Sequence, residues 1–365
     1  MEKGPIKFSI CIPNYNYARY IGATIKSVLD QEKTAGAELE ILVSDNRSTD
    51  DSIAVVEHFN DPRIRLTQNR WNLGFGGNLD RAAAKATGDR MILLSSDDLA
   101  EPNAIPIYCA LAQALGAAAE TALFASDQYV IDSEGQQQSV AHRDQRLWAD
   151  ATRHDELSAL LGRTVLHVSA KNLLRRSMIH MRTPFAFATT CYPRALYEVV
   201  EGYGAAYLFN PDKAFAWKLM TVADDVYYVE EPLFGYRVHD HNQTAQQTQS
   251  GALKHLVDQY RATFDTAPET IRAAGLTRES LAAAFIKHDI VLRGLKHLAE
   301  GNRTLAKRGL FYGRATYPDL LRRSGGGWLL RLALLFGPVS TFILAKALPG
   351  AMRRYSARPE SDTLR

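Results

Sequence analysis

Strand and helix patterns alternate along the first hundred residues, and this alternation limits the chain to few architectures. Short, apolar, β-prone runs stand at residues 8–12, 39–43, 63–67 and 91–94. Helical spacing or a helix-start pattern separates them, at residues 21–29, 49–59 and 82–86, and we expect the last of these helices to stop at Gly88. The order β-α-β-α-β-α-β predicts an α/β fold with a doubly wound, mostly parallel sheet and helices on both faces.

Polar residues follow three of the predicted strands. They are Pro13-Asn14-Tyr15-Asn16, Ser44-Asp45-Asn46 and Ser95-Ser96-Asp97-Asp98. Ligands of doubly wound sheets bind beyond the carboxyl ends of the strands. We therefore expect these three segments to converge on one crevice.

The residue types at these strand ends suit a nucleotide-sugar. Asp97 and Asp98 offer carboxylate oxygens to a divalent cation, Mn²⁺ or Mg²⁺, which would neutralise a diphosphate. Asp45 is suited to accept hydrogen bonds from a base and a ribose, and Tyr15 and Asn16 to form a wall beside the base. Each segment alone has a simpler interpretation, because Asp is common at helix caps and in turns.

Four motifs in this order resemble the family-2 glycosyltransferases of the GT-A fold, most clearly over residues 7–105. They are Pro13-x-Tyr15-Asn16, Val43-Ser44-Asp45-Asn46-x-Ser48-Thr49-Asp50, Asn72-x-Gly74, and Ala86-x-Gly88-Asp89 leading into Leu93-Leu94-Ser95-Ser96-Asp97-Asp98. The resemblance implies that Asp45 contacts the base and that Asp97 is a metal ligand, with Asp98 in support. It also implies a nucleotide-sugar site that includes Pro13, Tyr15, Asn16, Asn72, Ser96 and Asp97. Ser95 replaces the first Asp of the family's acidic triplet.

The resemblance continues more thinly to about residue 245. Inverting members use a carboxylate as general base, and Asp212, after Asn210-Pro211, matches that position, with Pro211 in place of the usual Glu. Asp224-Asp225 is the fallback. Tyr236-Arg237-Val238-His239 resembles the family's Tyr-Arg-x-His segment, so Arg237 would meet a phosphate and His239 would complete the metal site or touch the diphosphate. His241 competes with His239 for this role.

The resulting hypothesis is an inverting glycosyltransferase that moves one sugar from a nucleotide-diphosphate sugar to a hydroxyl of a glycan or lipid-linked acceptor, in surface-polysaccharide synthesis. One alternative is a catalytically inactive, nucleotide-binding relative, which Ser95 and Pro211 favour. Another is a sugar-nucleotide nucleotidyltransferase, for which the Gly-rich phosphate loop is missing. A dehydrogenase is excluded, because Gly74-Phe75-Gly76-Gly77 lacks the GxGxxG spacing.

Charge distribution separates the C-terminal part from the rest. The net charge of +3 does not favour a nucleic-acid partner, but residues 303–358 hold eleven Lys and Arg against one acid. The apolar stretch 328–348 favours a helix lying on an anionic membrane over a spanning or buried helix. Three widely spaced cysteines and an N-terminus lacking a signal pattern predict a location at the cytoplasmic face of the inner membrane.

These observations predict three regions. Residues 1–245 would form the GT-A-type domain, with a nucleotide half at 1–105 and an acceptor half at 106–245. Residues 246–324 would be helical, and residues 325–365 would form the basic, membrane-associating tail.

Overall fold

The structure, a computed structural model, describes residues 4–32, 36–204, 211–240 and 252–336. The chain folds into two compact units. The first comprises Met1–Leu173, Thr183–Tyr207 and Ala214–His239, and the second comprises Leu174–Arg182, Leu208–Lys213 and Asp240–Arg365. Asn210, His241 and most of the stretch 328–348 that the sequence analysis singled out lie outside the described residues.

The first unit is built on a sheet of eleven strands, joined in the order β3-β2-β1-β4-β10-β6-β11-β9-β8, with β5 beside β11 and β7 beside β6. The strands are β1 Ile6–Asn14, β2 Ala37–Asp45, β3 Ile64–Gln68, β4 Arg90–Leu93, β5 Leu99–Ala100, β6 Ala122–Ile131, β7 Gln137–Ala141, β8 Thr152–Arg153, β9 Val165–Ser169, β10 Cys191–Pro193 and β11 Asp225–Arg237.

Helices connect these strands and form the described part of the C-terminal region. They are α1 Ala18–Leu29, α2 Ser52–Glu57, α3 Gly74–Ala83, α4 Ala104–Leu115, α5 Asp155–Leu161, α6 Ala170–His180, α7 Arg194–Val199, α8 Asp212–Val222, α9 Ala252–Phe264, α10 Pro268–Ala273, α11 Arg278–Phe285, α12 Arg293–Ala299, α13 Arg303–Thr316, α14 Pro318–Arg323 and α15 Gly325–Leu335. A 3₁₀ helix at Gly116–Thr121 follows α4, and a π-helix at Ile286–Leu292 joins α11 to α12.

The parallel half of the sheet follows from apolar strands that are buried on both faces. β1 pairs in parallel with β2 on one side and with β4 on the other, and β3 extends the parallel set beyond β2. Ile10, Ile41 and Ile92 bury their side chains in one core cluster with Ile21 and Ile25 of α1. Such strands, covered by helices, are expected for a parallel sheet.

The other half of the sheet is mixed. β6 and β11 pair in parallel, but the three-residue β10 lies antiparallel to both β4 and β6. The predicted α/β class with a GT-A-type, mostly parallel core and helices is confirmed. The antiparallel strands β5, β7, β8, β9 and β10 were not predicted, since two to five residues carry too little pattern.

One helix boundary was predicted wrongly. Residues 82–86 were assigned to a helix that stops at Gly88, but α3 ends at Ala83. The sheet captures the backbone beyond it: Glu40 accepts the N–H of Thr87 at 2.7 Å, and Ser9 accepts the N–H of Gly88 at 2.9 Å. A Cβ on Gly88 would lie 2.7 Å from the carbonyl oxygen of Lys7, so the close approach requires glycine there.

Candidate active site

Polar side chains of neighbouring parallel strands meet at the carboxyl end of the sheet. Asn14 ends β1, Asp45 ends β2, and the two residues are partners in the strand register. Nδ2 of Asn14 donates to Oδ1 of Asp45 at 2.9 Å, and both residues are buried. The first two polar strand ends therefore lie side by side.

Asp45 also organises the loops around it. Its Oδ2 accepts the N–H of Ser48 at 2.9 Å, and its Oδ1 accepts the Ser48 hydroxyl at 2.5 Å. The oxygen of that hydroxyl accepts the N–H of Asn16 at 2.9 Å, and Oδ1 of Asn16 accepts the N–H of Thr49 at 2.7 Å. The loops after β1 and β2 are thus tied together, with Pro13 buried and Tyr15 exposed beside them.

One buried acceptor at this point has no hydrogen-bond donor among the described residues. The carboxylate of Asp45 only accepts, so it fixes the Asn14 amide with its nitrogen toward Asp45. Oδ1 of Asn14 is buried and has no hydrogen-bond partner in the described part of the chain. An unmet buried acceptor costs about 1–3 kcal/mol, which a ligand N–H or a water would relieve.

A network of amides joins the loop after β2 to the start of α3. Oδ1 of Asn46 accepts from the N–H of Leu73 at 2.8 Å and from Nδ2 of Asn69 at 3.2 Å. Nδ2 of Asn46 donates to Oδ1 of Asn72 at 2.8 Å, and Nδ2 of Asn69 donates to Oδ1 of Asn78 at 2.8 Å. Asn72 is exposed at the rim of this network. The motif Asn72-x-Gly74 identified Asn72 from the sequence, whereas Asn69 and Asn78 carry no spacing signal of their own and were not predicted.

The acidic turn leaves a strand that is buried along its whole length. Beyond β4, the N–H of Leu94 still donates to the carbonyl of Cys11 at 3.0 Å. The carbonyl of Ser96 then accepts the hydroxyl of Thr24 in α1 at 3.0 Å. Ser96, Asp97 and Asp98 are all buried, so the turn is held from the sheet and from α1.

Pairing of β5 with β11 brings the turn to the Tyr-Arg-x-His segment. Leu99 is the register partner of Gly235 in this antiparallel pair, so Arg237 falls opposite Asp97. Gly235 leaves room for the ring of Tyr129, since a Cβ at that position would lie 2.4 Å from it. Nε2 of His239 lies 3.1 Å from Oδ2 of Asp97. Two segments about 140 residues apart thus form one cluster.

Arg237 supports the acidic turn from behind. Its backbone N–H donates to Oδ1 of Asp98 at 3.0 Å, and its Nε donates to the carbonyl of Asp97 at 2.8 Å. Nη1 donates to the carbonyl of Asp132 at 3.1 Å. The guanidinium is buried, so its described bonds go to main-chain oxygens, and the phosphate contact expected for Arg237 stays a prediction.

The two carboxylates of the turn are close enough to affect each other. Burial, and then the charge of Asp97, raise the pKa of Asp98 well above its usual range, against the lowering effect of the N–H of Arg237. The hydroxyl of Tyr17 feels the same pair, since burial and both carboxylates raise its pKa. A positive charge placed here would therefore be stabilised.

Two tyrosines that the sequence analysis missed surround the histidine. The ring of Tyr20 lies 4.6 Å from that of His239, and the ring of Tyr17 lies 5.7 Å from it, centroid to centroid. Tyr20 also lies under the guanidinium of Arg237, 5.1 Å from ring centroid to Cζ. Both residues belong to the segment that enters α1. Their spacing of three residues, one helical turn, was the only available signal.

The donor atoms fit a divalent cation in part. Oδ2 of Asp97 and Nε2 of His239 face each other, but no three His, Cys, Asp or Glu side chains gather to hold an ion among the described residues. Mg²⁺ is commonly held by only one or two carboxylates together with substrate phosphates. The geometry is compatible with such an open site, in which the nucleotide would supply the remaining oxygens.

The candidate base lies in the second unit. Asp212 is the first residue of α8 and is partly buried, and Lys213 after it is buried. Its position relative to Asp97 stays a prediction. The fallback pair lies far from the acidic turn, because Asp225 starts β11 whereas Arg237 ends it, and the ten residues of β6 that run beside this stretch span about 30 Å at 3.3 Å per residue.

A cavity at the opposite edge of the sheet is not part of this cluster. Lys7, Glu40 and Arg65 line it near the amino ends of β1 and β2. Glu40 is ion-paired to Lys7 at 3.0 Å and to Arg65 at 2.5 Å. Burial alone would raise the pKa of Glu40, but hydrogen bonds from Ser9, Thr87 and Lys7 lower it to about 2. The charge of Glu40 is thus satisfied by side chains and backbone groups of the protein itself.

Comparison with known proteins points to one family. Residues 9–182 match the model of glycosyl transferase family 2. Over 101 residues the chain is 37% identical to chondroitin synthase of Escherichia coli. The aligned segment covers 27% of this chain and 14% of that protein. It is 38% identical over 91 residues to the UDP-Glc:alpha-D-GlcNAc-diphosphoundecaprenol beta-1,3-glucosyltransferase WfgD of Escherichia coli, covering 25% of this chain and 35% of that protein. The matched segment thus spans well under two thirds of these relatives.

A likeness in three dimensions extends over nearly the whole chain. The structure of S. aureus TarS residues 1–349 in complex with UDP-GlcNAc aligns with a TM-score of 0.61 and 17% identity, covering 96% of this chain and 92% of that one. At this identity the likeness concerns the fold.

Proposed function

Since residues 9–182 of this chain belong to glycosyl transferase family 2, we propose that it transfers one sugar from a nucleotide-diphosphate sugar to a hydroxyl group with inversion. The observation that carries the proposal is the arrangement of Asp45 and Asp97 at one edge of a parallel sheet, with His239 on Asp97. Ligands of such sheets bind at this edge.

The donor would lie across the carboxyl ends of β1, β2 and β4. Asp45 and Oδ1 of Asn14 would meet the base; the proposal is supported by the anchoring of the Asp45 carboxylate and by the lack of a partner for the buried Oδ1 of Asn14 among the described residues. Pro13, Tyr15, Asn16, Asn72 and Ser96 would form the surrounding wall. Asp97, His239 and, in support, Asp98 would hold Mn²⁺ or Mg²⁺, which when bound neutralises the charge that develops on the leaving diphosphate.

The chemical step needs a base and a defined geometry. The acceptor oxygen bonds to the anomeric carbon from the face opposite the diphosphate, while the bond from that carbon to the diphosphate oxygen breaks. Asp212 would take the hydroxyl proton, and the nucleoside diphosphate leaves. Attack from the opposite face inverts the anomeric configuration.

The acceptor and the location are inferred from relatives and from the C-terminal helix. The printed name of WfgD describes a diphosphoundecaprenol-linked acceptor, and a lipid-linked or surface-glycan precursor is proposed here by analogy. Exposed Trp328, Leu332 and Leu335 share one face of α15, and the exposed Arg322 and Arg323 precede that helix. This combination suits an anionic leaflet, with the chain peripheral on the cytoplasmic face of the inner membrane.

A helix able to cross a membrane is not found in the part of the chain that the structure describes. Peripheral binding is tested by sedimentation with vesicles of neutral lipid, with and without a quarter of anionic phosphatidylglycerol. We expect binding only to the anionic vesicles and its loss in W328S/L332S. Equal recovery of the variant and the native chain with the anionic vesicles would contradict the membrane contact.

A screen of nucleotide-sugars tests the central proposal. The full chain is mixed with UDP-, GDP- and dTDP-sugars, with Mn²⁺, Mg²⁺ or a chelator, and binding is measured by calorimetry. We expect one donor to bind, more tightly with metal, and D97N to lose the metal-dependent part. The matched control is D155N, an exposed acid. Donor binding without sugar transfer to any glycoside or lipid-linked acceptor would favour the inactive relative.

A further inference from the structure

Outside the cluster around Asp97, the first unit holds a second arrangement of titratable groups. Asp127 lies in β6 and is buried. Its Oδ2 lies 2.9 Å from Nδ1 of His142, and its Oδ1 accepts the hydroxyl of Tyr228 at 2.7 Å. The side chain of His142 is 67% exposed whereas that of Asp127 is 3% exposed. A buried carboxylate thus holds one nitrogen of an imidazole that solvent can reach.

The segment that carries His142 is anchored on the protein. Asp144 is buried and caps the following turn, since its Oδ1 accepts the N–H of Arg146 at 3.0 Å. The ring of Trp148 packs 4.8 Å from that of Tyr228, and its Nε1 donates to the carbonyl of Pro184 at 2.9 Å. Arg143 forms an ion pair with Glu230 of β11. On the preceding side, β7 pairs with β6 up to Ala141, so the chain is held both before and after His142.

Strand register places this pair beside the acidic turn. Cys191 of β10 is the partner of Ile92 in β4 and of Phe124 in β6, and β10 is antiparallel to both strands. β4 and β6 therefore run in the same direction, and Asp127 stands three residues beyond Phe124 as Ser95 stands three beyond Ile92. Two strand spacings separate them, about 10 Å. Asp127 thus lies level with Ser95, at the height where β4 has ended and the acidic turn begins.

At this height the column between β4 and β6 holds loops: the turn that precedes β10 and the residues that follow β7, whose Ala141 pairs with Gln128 of β6. β10 starts only at Cys191, and the residues before it form a turn in which the carbonyl of Ala186 accepts the hydroxyls of Thr189 and Thr190 at 3.1 and 2.9 Å. Loops rather than a strand therefore flank Asp127 on that side.

We propose that His142, oriented by Asp127, is a hydrogen-bonding residue of the sugar-acceptor subsite. A carboxylate on Nδ1 favours the tautomer that carries the proton there, so a neutral ring presents Nε2 as an acceptor. A hydrogen-bond acceptor such as this nitrogen suits the hydroxyl groups of a glycan. This inference rests on the proposed function, but it concerns acceptor binding, which is measured without turnover.

The test compares two variants, each of which keeps a polar atom near only one of the two ring nitrogens of His142. H142N retains a nitrogen near Nδ1 and can still satisfy Asp127, whereas H142Q retains one near Nε2. The full chain is titrated with p-nitrophenyl glycosides of glucose, galactose and N-acetylglucosamine by ligand-observed NMR. H58A serves as control, because His58 is exposed on the surface after α2.

We expect at least one glycoside to bind, H142N to weaken its binding about tenfold, as loss of one good hydrogen bond implies, and H142Q to retain most of it. Calorimetric affinity for the nucleotide-sugar should be unchanged in all variants. Native binding of the glycosides by H142N, or binding of none of them by the native chain, would overturn the inference. Failure of every nucleotide-sugar to bind would instead overturn the proposed function, and the glycoside titration would still report on His142.

Discussion

Nε2 of His239 lies 3.1 Å from Oδ2 of Asp97, and less than a tenth of either side chain is exposed. Asp97 comes from the turn after β4 and His239 from the end of β11. The short β5–β11 pairing holds the two segments together. An acidic turn and a histidine that are distant in sequence are thereby the two donors of one candidate metal site.

This pair of donors predicts a strong effect of losing either one. D97N should lower kcat at least a hundredfold, and H239Q about tenfold or more, because charge on the leaving diphosphate would be less well stabilised. Both variants should also need more Mn²⁺ for half-maximal activity. Steady-state rates over a metal titration measure this, with D155N as a native-like control. Unchanged metal dependence in both variants would remove them from the metal site.

Asp45 should be required both for stability and for donor affinity. The Asn14 amide, the Ser48 N–H and the Ser48 hydroxyl all donate hydrogen bonds to the Asp45 carboxylate. In D45N the NH₂ group of the new side chain would face at least one of these donors, and that hydrogen bond would be lost. We expect a loss of about 1–3 kcal/mol in the free energy of unfolding and weaker donor binding. Urea unfolding and calorimetry measure the two effects. A variant that binds donor with native affinity would contradict the assigned role of Asp45 at the base.

Arg237 should stabilise the fold through its hydrogen bonds to the main chain of the acidic turn. R237M removes the side-chain bonds to the carbonyls of Asp97 and Asp132, and leaves the backbone N–H that meets Asp98. We expect destabilisation of about 2–4 kcal/mol, since several buried carbonyls lose partners at once. R153M is the comparison, because Arg153 makes an ion pair with its side chain 59% exposed. If R237M unfolds like R153M, the buried bonds contribute little.

The buried Lys213 makes a prediction about pH. Burial lowers its pKa to about 8 from an ordinary value of 10.5, and Asp289, Arg293 and Asp258 lie near it. Between these two values the unfolded chain binds more protons, so this group makes the free energy of unfolding rise with pH. Below about pH 8 the cost of burying the charge is fully present.

K213M should therefore flatten the pH dependence of stability. The free energy of unfolding of the native chain, relative to K213M, should increase between pH 8 and pH 10. Urea titrations at several pH values in this window measure the difference, and K171M, at an exposed lysine, should keep the native slope. If the free energies of unfolding of K213M and the native chain changed in parallel with pH, the pKa of Lys213 would not be lowered in the folded chain.

The sequence by itself determined the parallel half of the fold. Buried runs such as residues 91–94 and the helical spacing of Ile21, Ile25 and Val28 are local patterns, and a parallel sheet brings the ends of its strands to one edge whatever lies between them. For the same reason Asp45 and Asp97 were recognisable as candidates from their places after strands.

Only the tertiary structure decided which partners these residues have. β5 and β10, with two and three residues, are too short to show a pattern, yet they bring Arg237 and His239 to the acidic turn and give Asp127 its place beside Ser95. The end of α3 depended on Glu40 and Ser9, which capture backbone groups from another part of the chain. Such contacts form between residues remote in sequence, and local periodicity carries no information about them.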